Sequence, residues 1–425
     1  MKRLLTIVLT VLVLIACALA LAILMGERED DSPAVAAIEK PSPELIARGA
    51  YLAQAGNCLG CHTTRGGQPY AGGRELPTPF GTFVTPNITS DKESGIGSWT
   101  SQDFWRALHY GKSRDGRVLY PAFPYTEYTR IKREDADAMF AFLQTIAPAT
   151  QKSAADRLDF PYSVRPLLYV WRALYFKPGI YAPIPAQSEE WNRGAYLVQG
   201  LGHCNACHST RNALGAAGGA ALGGGQVAGR SWYAPSLTSD SEAGSGARTN
   251  EETMRLLSTG LADKGAAAGP MSEVISQSLQ HLNPADLRAM AVYLKSLSSP
   301  SPAKTTTAPT FTAEVQARID KGARIYEKEC KDCHGGSGKG NAGAYPALAG
   351  NPGVTLASPV NTIRSVLDGG FVPVTKANPR PYGMPPFAQS LSNEEIAQVV
   401  SFIRNAWGNQ ASVVSAVQVD KSGSD

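Results

Sequence analysis

Six of the seven cysteines stand in three close pairs, each followed at once by a histidine. The three runs read Cys58-Leu59-Gly60-Cys61-His62, Cys204-Asn205-Ala206-Cys207-His208 and Cys330-Lys331-Asp332-Cys333-His334. Two cysteines three apart on a helical turn point to one side and can bond the two vinyl groups of one porphyrin. The adjacent histidine then lies under the ring and offers its imidazole to iron. A zinc site would need four converging ligands, usually from paired motifs, whereas each pair here has its own histidine. A thioredoxin-like redox pair would need a βαβ setting, which the sequence lacks. From the cysteine and histidine frequencies, one chance match is expected only about 10⁻³ times per chain of this length. Three matches therefore predict three covalently bound haem c groups, held by Cys58, Cys61, Cys204, Cys207, Cys330 and Cys333, with His62, His208 and His334 on iron. The remaining histidines, His109, His203 and His281, read as packed or surface residues.

The motifs sit in a threefold repeat. Each unit opens on a helical pattern: Arg48-Gly49-Ala50-Tyr51-Leu52, Arg193-Gly194-Ala195-Tyr196-Leu197 and Lys321-Gly322-Ala323-Arg324-Ile325. After the cysteine motif comes a Pro-x-Leu/Ile step, at Pro86, Pro235 and Pro346. The carbonyl of such a proline is expected to accept a hydrogen bond from the other nitrogen of the ligating histidine, fixing the ring and tuning the metal. Each unit closes with an amphipathic helix, over Glu134–Ile146, Pro284–Leu297 and Asn393–Trp407, with acidic residues in the first turn.

Cytochromes c commonly complete the iron with methionine. Met271 lies 34 residues after Leu237, and Met384 lies 36 after Leu348. Both are expected in a turn just before the closing helix, as ligands. Met254 and Met290 occupy helix-like positions and read as core. The same count in the first unit, 35 residues from Ile88, lands on Phe123, which cannot ligate iron. Met139, placed in the closing helix, reads as core, and His109 lies at the end of a helical run before Gly111. The first haem is thus expected to be open or differently ligated.

The chain of 425 residues is long enough for about three domains. Its composition, 43% hydrophobic and 18% charged, is that of folded globular domains. A net charge of +4 without a concentrated basic stripe excludes nucleic acid as a partner. Leu4 to Met25 is a 22-residue stretch without a charge, preceded by Lys2 and Arg3 and followed by an acidic cluster. It predicts export of the body, as an uncleaved anchor or as a signal cut near Ala18-Leu19-Ala20. The domain reading is 1–30 anchor or signal, 40–150 first domain, 151–188 aromatic-rich linker and 189–299 second domain. A Pro/Thr-rich linker over 300–312, a third domain over 313–410 and a disordered tail over 411–425 complete it. The aromatics of the first linker predict packing across domains one and two, or a docking surface for a partner or membrane.

Several longer stretches carry a resemblance: RGAYLAQAGNCLGCHT, LYPAFPYTEYTRI, AQSEEWNRGAYLVQGLGHCNACHSTRNALGA, the Gly-Pro-Met segment with SLQHL, GAYPALAGN and YGMPPF. Over about residues 45 to 410 the chain resembles the tri-haem cytochrome c subunits of bacterial dehydrogenases, membrane-bound enzymes oxidising alcohols, gluconate, sorbitol or aldehydes. Many members have methionine where this chain has Phe123. The resemblance implies a mainly α fold of three tandem class I cytochrome c domains with long loops, plus the N-terminal transmembrane helix or signal. It implies a membrane-bound dehydrogenase catalytic subunit as electron donor and ubiquinone or a terminal oxidase as acceptor. It also implies a place on the cytoplasmic (inner) membrane with the domains facing the periplasm. A haem enzyme of peroxidase or sulfur-compound oxidase type, acting at an open first haem, is the alternative. A soluble shuttle is a third reading, disfavoured by the apolar stretch.

Overall fold

A computed structural model describes residues 2–7, 10, 41–238, 242, 248–298 and 311–423. Most of the Leu4–Met25 stretch and of the Pro/Thr-rich linker lies outside these residues. Among the described residues, no helix is long and apolar enough to cross a membrane. The chain clusters into two compact units. One comprises the residues to Pro183 with Gln199–His203 and Asn212–Ala216; the other comprises Ile184–Val198, Cys204–Arg211 and the residues from Ala217 onward.

The first repeat is built on α1 (Pro43–Ala55), α2 (Ser101–Tyr110) and α3 (Arg133–Leu143). A nine-residue helix, α4 (Leu167–Tyr175), follows in the linker. The second repeat holds α5 (Glu189–Tyr196), α6 (Asn250–Thr259), α7 (Pro270–Gln277) and α8 (Pro284–Leu297). The third holds α9 (Ala313–Glu329), α10 (Val360–Asp368) and α11 (Asn393–Ile403), and a last helix, α12 (Ala416–Gly423), follows. Side-chain caps start the opening helices. Ser42, Ser188 and Thr312 accept from the backbone N–H three residues on, satisfying a donor that has no partner within the helix. Ser392 and Glu395 form a reciprocal capping box at α11.

One helix crossing recurs in every repeat. The opening helix lies against the closing helix at its glycine. A Cβ built on Gly49 would sit 1.8 Å from the Ala138 carbonyl oxygen. One on Gly194 would sit 1.9 Å from that of Ala289, and one on Gly322 2.0 Å from that of Gln398. The backbones touch because no side chain intervenes. An ion pair flanks the crossing: Arg48 with Asp135 and Arg193 with Asp286. In the third repeat the pair shifts one turn, and Arg318 grips Glu394 with two bonds of 2.8 Å. Ile396, Val399, Val400 and Ile403 of α11 are buried with Tyr326, Ile363 and Val366 in the core of the third repeat.

The linker packs on the first repeat. Its Arg157–Leu158 (β3) joins the antiparallel pair Glu75–Thr78 (β1) and Gly81–Val84 (β2) as a third strand. Leu168, Arg172, Phe176 and Tyr181 are buried. Arg172 donates to the Tyr110 carbonyl, its guanidinium 5.7 Å from the Tyr125 ring centre and 4.7 Å from that of Phe176.

Within the second unit the second and third repeats are docked directly. Asn361 of α10 brackets Tyr233: its Oδ1 accepts from the Tyr233 N–H at 2.8 Å, and its Nδ2 donates to the Tyr233 carbonyl at 2.7 Å.

The tail departs from the expectation of disorder. Val414 and Val419 are fully buried, and α12 packs on α10 and α11. Arg404, at the end of α11, is fully buried and donates to the carbonyls of Val354 (2.7 Å), Leu356 (3.0 Å) and Ser412 (3.0 Å). Burial pushes its pKa down to about 10. The arginine turns the chain back onto the core, which a polar, weakly periodic tail does not announce.

The crossing sets a sign test. Gly→Ala in a helix interior ordinarily stabilises by about 0.5–1 kcal/mol. At Gly194 or Gly322 the clash with backbone, at overpacking costs of about 1–3 kcal/mol, should win. We expect Gly194→Ala and Gly322→Ala each to lower the thermal unfolding midpoint of the purified protein; a rise would show that the helices can part without cost.

Candidate functional site

The three cysteine motifs are single turns of tight backbone. The histidine N–H bonds back to the first cysteine's carbonyl in each: His62 to Cys58 (2.9 Å), His208 to Cys204 (2.9 Å) and His334 to Cys330 (3.0 Å). This i to i−4 turn puts both thiols of a motif on one side. None of the six cysteines forms a disulfide.

Each imidazole is held in one orientation. His62 Nδ1–H donates to the Pro86 carbonyl at 2.8 Å, His208 to Pro235 at 2.7 Å and His334 to Pro346 at 3.0 Å. The tautomer follows from the acceptor, since a carbonyl can only take a proton. Desolvation holds all three rings below the usual histidine pKa, against the opposing effect of the proline hydrogen bond, and so favours the neutral form. Nε2 is then the unprotonated nitrogen, with its lone pair available to a metal. The proline carbonyl thereby takes the place expected of Pro86, Pro235 and Pro346.

A second layer of the site is absent from the sequence reading. A glycine locks the loop that carries each proline: Gly72 N–H donates to the His62 carbonyl (2.8 Å), Gly224 to His208 (2.9 Å) and Gly340 to His334 (2.9 Å). All three have positive φ, at 74°, 81° and 63°. Two residues earlier, Tyr70, Leu222 and Gly338 also have positive φ. Their carbonyls accept from the N–H of Ile88 (2.9 Å), Leu237 (2.8 Å) and Leu348 (2.7 Å), the last residue of each Pro-x-Leu/Ile step. No Cβ fits at the locking glycine. It would meet the Pro86 carbonyl carbon at 2.4 Å, the Ser236 nitrogen at 2.6 Å or the Tyr345 oxygen at 2.3 Å. The sequence holds no distinct signal for it: the residues two before, Tyr70, Leu222 and Gly338, share no type, and the locking glycines are diluted among 42 glycines. In the first two repeats an arginine also reaches the motif: Arg74 donates to the Gly60 carbonyl and Arg211 to that of Ala206, each just before the second cysteine.

The first cysteine of each motif is not poised as a reactive thiolate. Loss of water, then the neighbouring thiol, pushes Cys58 and Cys204 up to about 12. Burial, then Glu329, pushes Cys330 up to about 11. Redox-active pairs show the opposite shift. Two unbridged thiols on one side, and an imidazole whose Nδ1 is occupied and whose Nε2 is free beside them, fit a thioether-linked haem three times over.

The residues at the counted position after each Pro-x-Leu/Ile step have different settings in the three repeats. Met271 is the second residue of α7, started by Pro270 at its first position, and so lies in a helix rather than the expected turn. Met384 lies in the strand Gly383–Met384 (β5), opposite Gly370 of Gly370–Phe371 (β4). It packs against the same apolar cluster as Cys330 and Leu348. Phe123 precedes the single helical turn Tyr125–Tyr128, and its ring lies 5.4 Å from that of Tyr128. The buried Tyr128 hydroxyl donates to the Gly56 carbonyl at 2.9 Å, two residues before Cys58. Met139 and Met290 are buried in α3 and α8. His109 is buried at the end of α2, stacked on Trp105 at 4.5 Å, with Nδ1–H on the Thr129 carbonyl at 2.8 Å.

The sequence matches the cytochrome c family model over residues 46–147, 192–298 and 319–407. It is 39% identical to the cytochrome c subunit of alcohol dehydrogenase (quinone) from Gluconobacter oxydans, covering 89% of this chain and 82% of that protein. It is 37% identical to the gluconate 2-dehydrogenase cytochrome c subunit of Pantoea cypripedii, covering 89% of each. It is 41% identical to a nicotinate dehydrogenase subunit of Pseudomonas putida over 89% of this chain; the chain spans about a third (32%) of that relative's length.

The locking glycines can be tested one repeat at a time. We expect Gly224→Val to lower the pyridine haemochrome yield from three haems per chain toward two, with attachment to the peptide containing Cys204 and Cys207 lost on mass mapping. Full attachment there, with unchanged spectra, would show that the loop needs no glycine.

Proposed function

The chain belongs to the cytochrome c family, and on that footing we propose that it is the electron-transfer subunit of a membrane-bound dehydrogenase. It carries three haems c, linked through Cys58 and Cys61, Cys204 and Cys207, and Cys330 and Cys333. His62, His208 and His334 are the ligands on the attachment side. Met271 and Met384 complete the second and third centres. When bound, each haem supplies a one-electron couple. The protein's part is to hold geometry: the proline carbonyls keep the Nδ1 protons and fix the imidazole planes, and the glycine-locked loops hold the prolines.

A separate catalytic subunit oxidises the substrate and delivers electrons to this chain, which passes them to membrane ubiquinone or a terminal oxidase. The relatives' names support the catalytic subunit as donor, since they are cytochrome c subunits of alcohol and gluconate dehydrogenases. The Leu4–Met25 stretch supports a place on the inner membrane with the domains in the periplasm. The observation that carries the reading is the repetition of one histidine–proline–glycine lock three times in a single chain. One haem would suffice for catalysis at a haem; three suit conduction. Phe123 is the feature on the side of a self-contained haem enzyme, and the relatives do not favour it.

Purification from detergent-solubilised membranes should bring down a large dehydrogenase subunit. Recovery of this chain alone, fully loaded with haem, would count against the subunit reading. At the first centre, the reduced protein is expected to bind carbon monoxide at one haem, and Phe123→Met to abolish that binding. Absence of a carbon monoxide difference spectrum in the unaltered protein would mean that another side chain closes the first haem.

A further inference from the structure

The linker helix α4 exposes apolar residues while it buries a cation. Its buried side holds Leu168 and Arg172, with Phe176 just past its end. Its outward side carries Leu167, Leu174 and Tyr175, which are 44%, 64% and 38% exposed. The flanking segments add Phe160 (84% exposed), Val164 (40%) and Ile180 (50%). These six residues lie within 21 positions, in the first compact unit. Single exposed apolar residues are ordinary, but a cluster on one element marks a surface that is covered in use. The helix itself is held firmly. Arg172 ties it to the Tyr110 carbonyl, Trp171 Nε1–H donates to the Leu214 carbonyl at 2.9 Å, and Tyr181 N–H donates to the Arg130 carbonyl at 3.0 Å. The exposed leucines are thus presented by a rigid mount.

Charge indicates what covers them. From Phe160 to Ser188 the chain has no acidic residue, the exposed Asp159 lying just before it, and outside the buried Arg172 it has Arg165 and Lys177. Lys177 is exposed beside the patch, and so is Arg130, whose carbonyl holds Tyr181. Tyr162, Tyr169, Trp171 and Tyr175 supply rings with one polar end, the type that gathers where hydrocarbon meets water. An apolar face with amphipathic aromatics and more cations than acids is the composition of an element lying in a bilayer interface.

We propose that the surface formed by Phe160, Val164, Leu167, Leu174, Tyr175 and Ile180 lies on the membrane, its apolar side chains in the headgroup–acyl boundary and Lys177 and Arg130 on anionic headgroups. This rests on the membrane placement proposed above and adds to it a second contact, remote in sequence from the Leu4–Met25 stretch. Such a contact fixes which side of the first domain faces the lipid.

The test uses the full, haem-loaded chain in vesicles of phosphatidylcholine and phosphatidylglycerol, with a fraction of the lipid bearing a photoactivatable group high on the acyl chain. After illumination, cross-linked peptides are mapped by mass spectrometry. The peptides spanning 160–181 should be labelled. The exposed Phe371 and Tyr382 of the third repeat should not, and serve as the control for exposed apolar residues. Phe160→Ser with Leu174→Ser, both outward-facing, should cut labelling there by about tenfold while haem content and spectra stay unchanged. Leaving out the anionic lipid should cut it by roughly fivefold for each of Lys177 and Arg130. Labelling over 160–181 no higher than at the control overturns the proposal. So does labelling that disappears once a catalytic subunit is bound, which would make this face a protein interface. Either result leaves the haem count and the electron-transfer role standing, because neither readout depends on them.

Discussion

Everything in this protein that bears on chemistry hangs on a hydrogen bond from an imidazole Nδ1 to a proline carbonyl. The bond decides which nitrogen keeps the proton, and so which one is offered to a metal. It also stops rotation about the histidine side chain, so the plane of the ligand is set before anything binds. For that bond to form, the proline must be brought back to the motif across a loop of 12 to 27 residues. The locking glycine does this by bonding to the histidine's own carbonyl while its bare Cα lies against the returning strand. The two bonds form a closed unit: the histidine main chain holds the loop, and the loop holds the histidine ring.

The parts legible in the sequence were those whose chemistry needs particular residue types at particular spacings. Cys-x-x-Cys-His, the following proline and the acidic-first amphipathic helices all met that condition. The locking glycines were not legible. A glycine required for positive φ looks the same in a sequence as one that merely lines a turn. Gly72, Gly224 and Gly340 are separated from their motifs by loops of different length, which hides the alignment. The crossing glycines were visible as part of a repeated pattern, but their reason was not: it lies in Ala138, Ala289 and Gln398, about 75 to 95 residues away. The placement of Met271 failed for a local reason. Gly269-Pro270 reads as a turn, yet proline at the first position also begins a helix, and here it does.

Two segments misjudged or left open by the sequence are both ordered by an arginine. Arg404 brings the tail onto the third repeat, and Arg172 binds the linker to the first. In each case the acceptors are backbone carbonyls, which every residue has. Pairing with a carboxylate can be guessed from complementary charges; pairing with a carbonyl leaves no trace in residue type. Burying an arginine this way is costly unless its donors are met. Arg404 meets that condition with bonds to three carbonyls and the Ser412 hydroxyl. The arrangement fixes both segments to the bodies of their repeats through main-chain acceptors.

The three sites share their attachment side closely and differ at the counted position. Distances from imidazole to proline agree within a few tenths of an ångström, at 2.8, 2.7 and 3.0 Å. The residues at that position lie before a single helical turn, in the first turn of a helix and in a short strand. Conduction between centres needs each one held still, and the shared lock provides that. In a cytochrome c the second axial ligand and its surroundings are among the levers that set the potential of a centre. Phe123, at the counted position of the first repeat, has no atom that can bind iron, while the lock around His62 is the same as in the other two repeats.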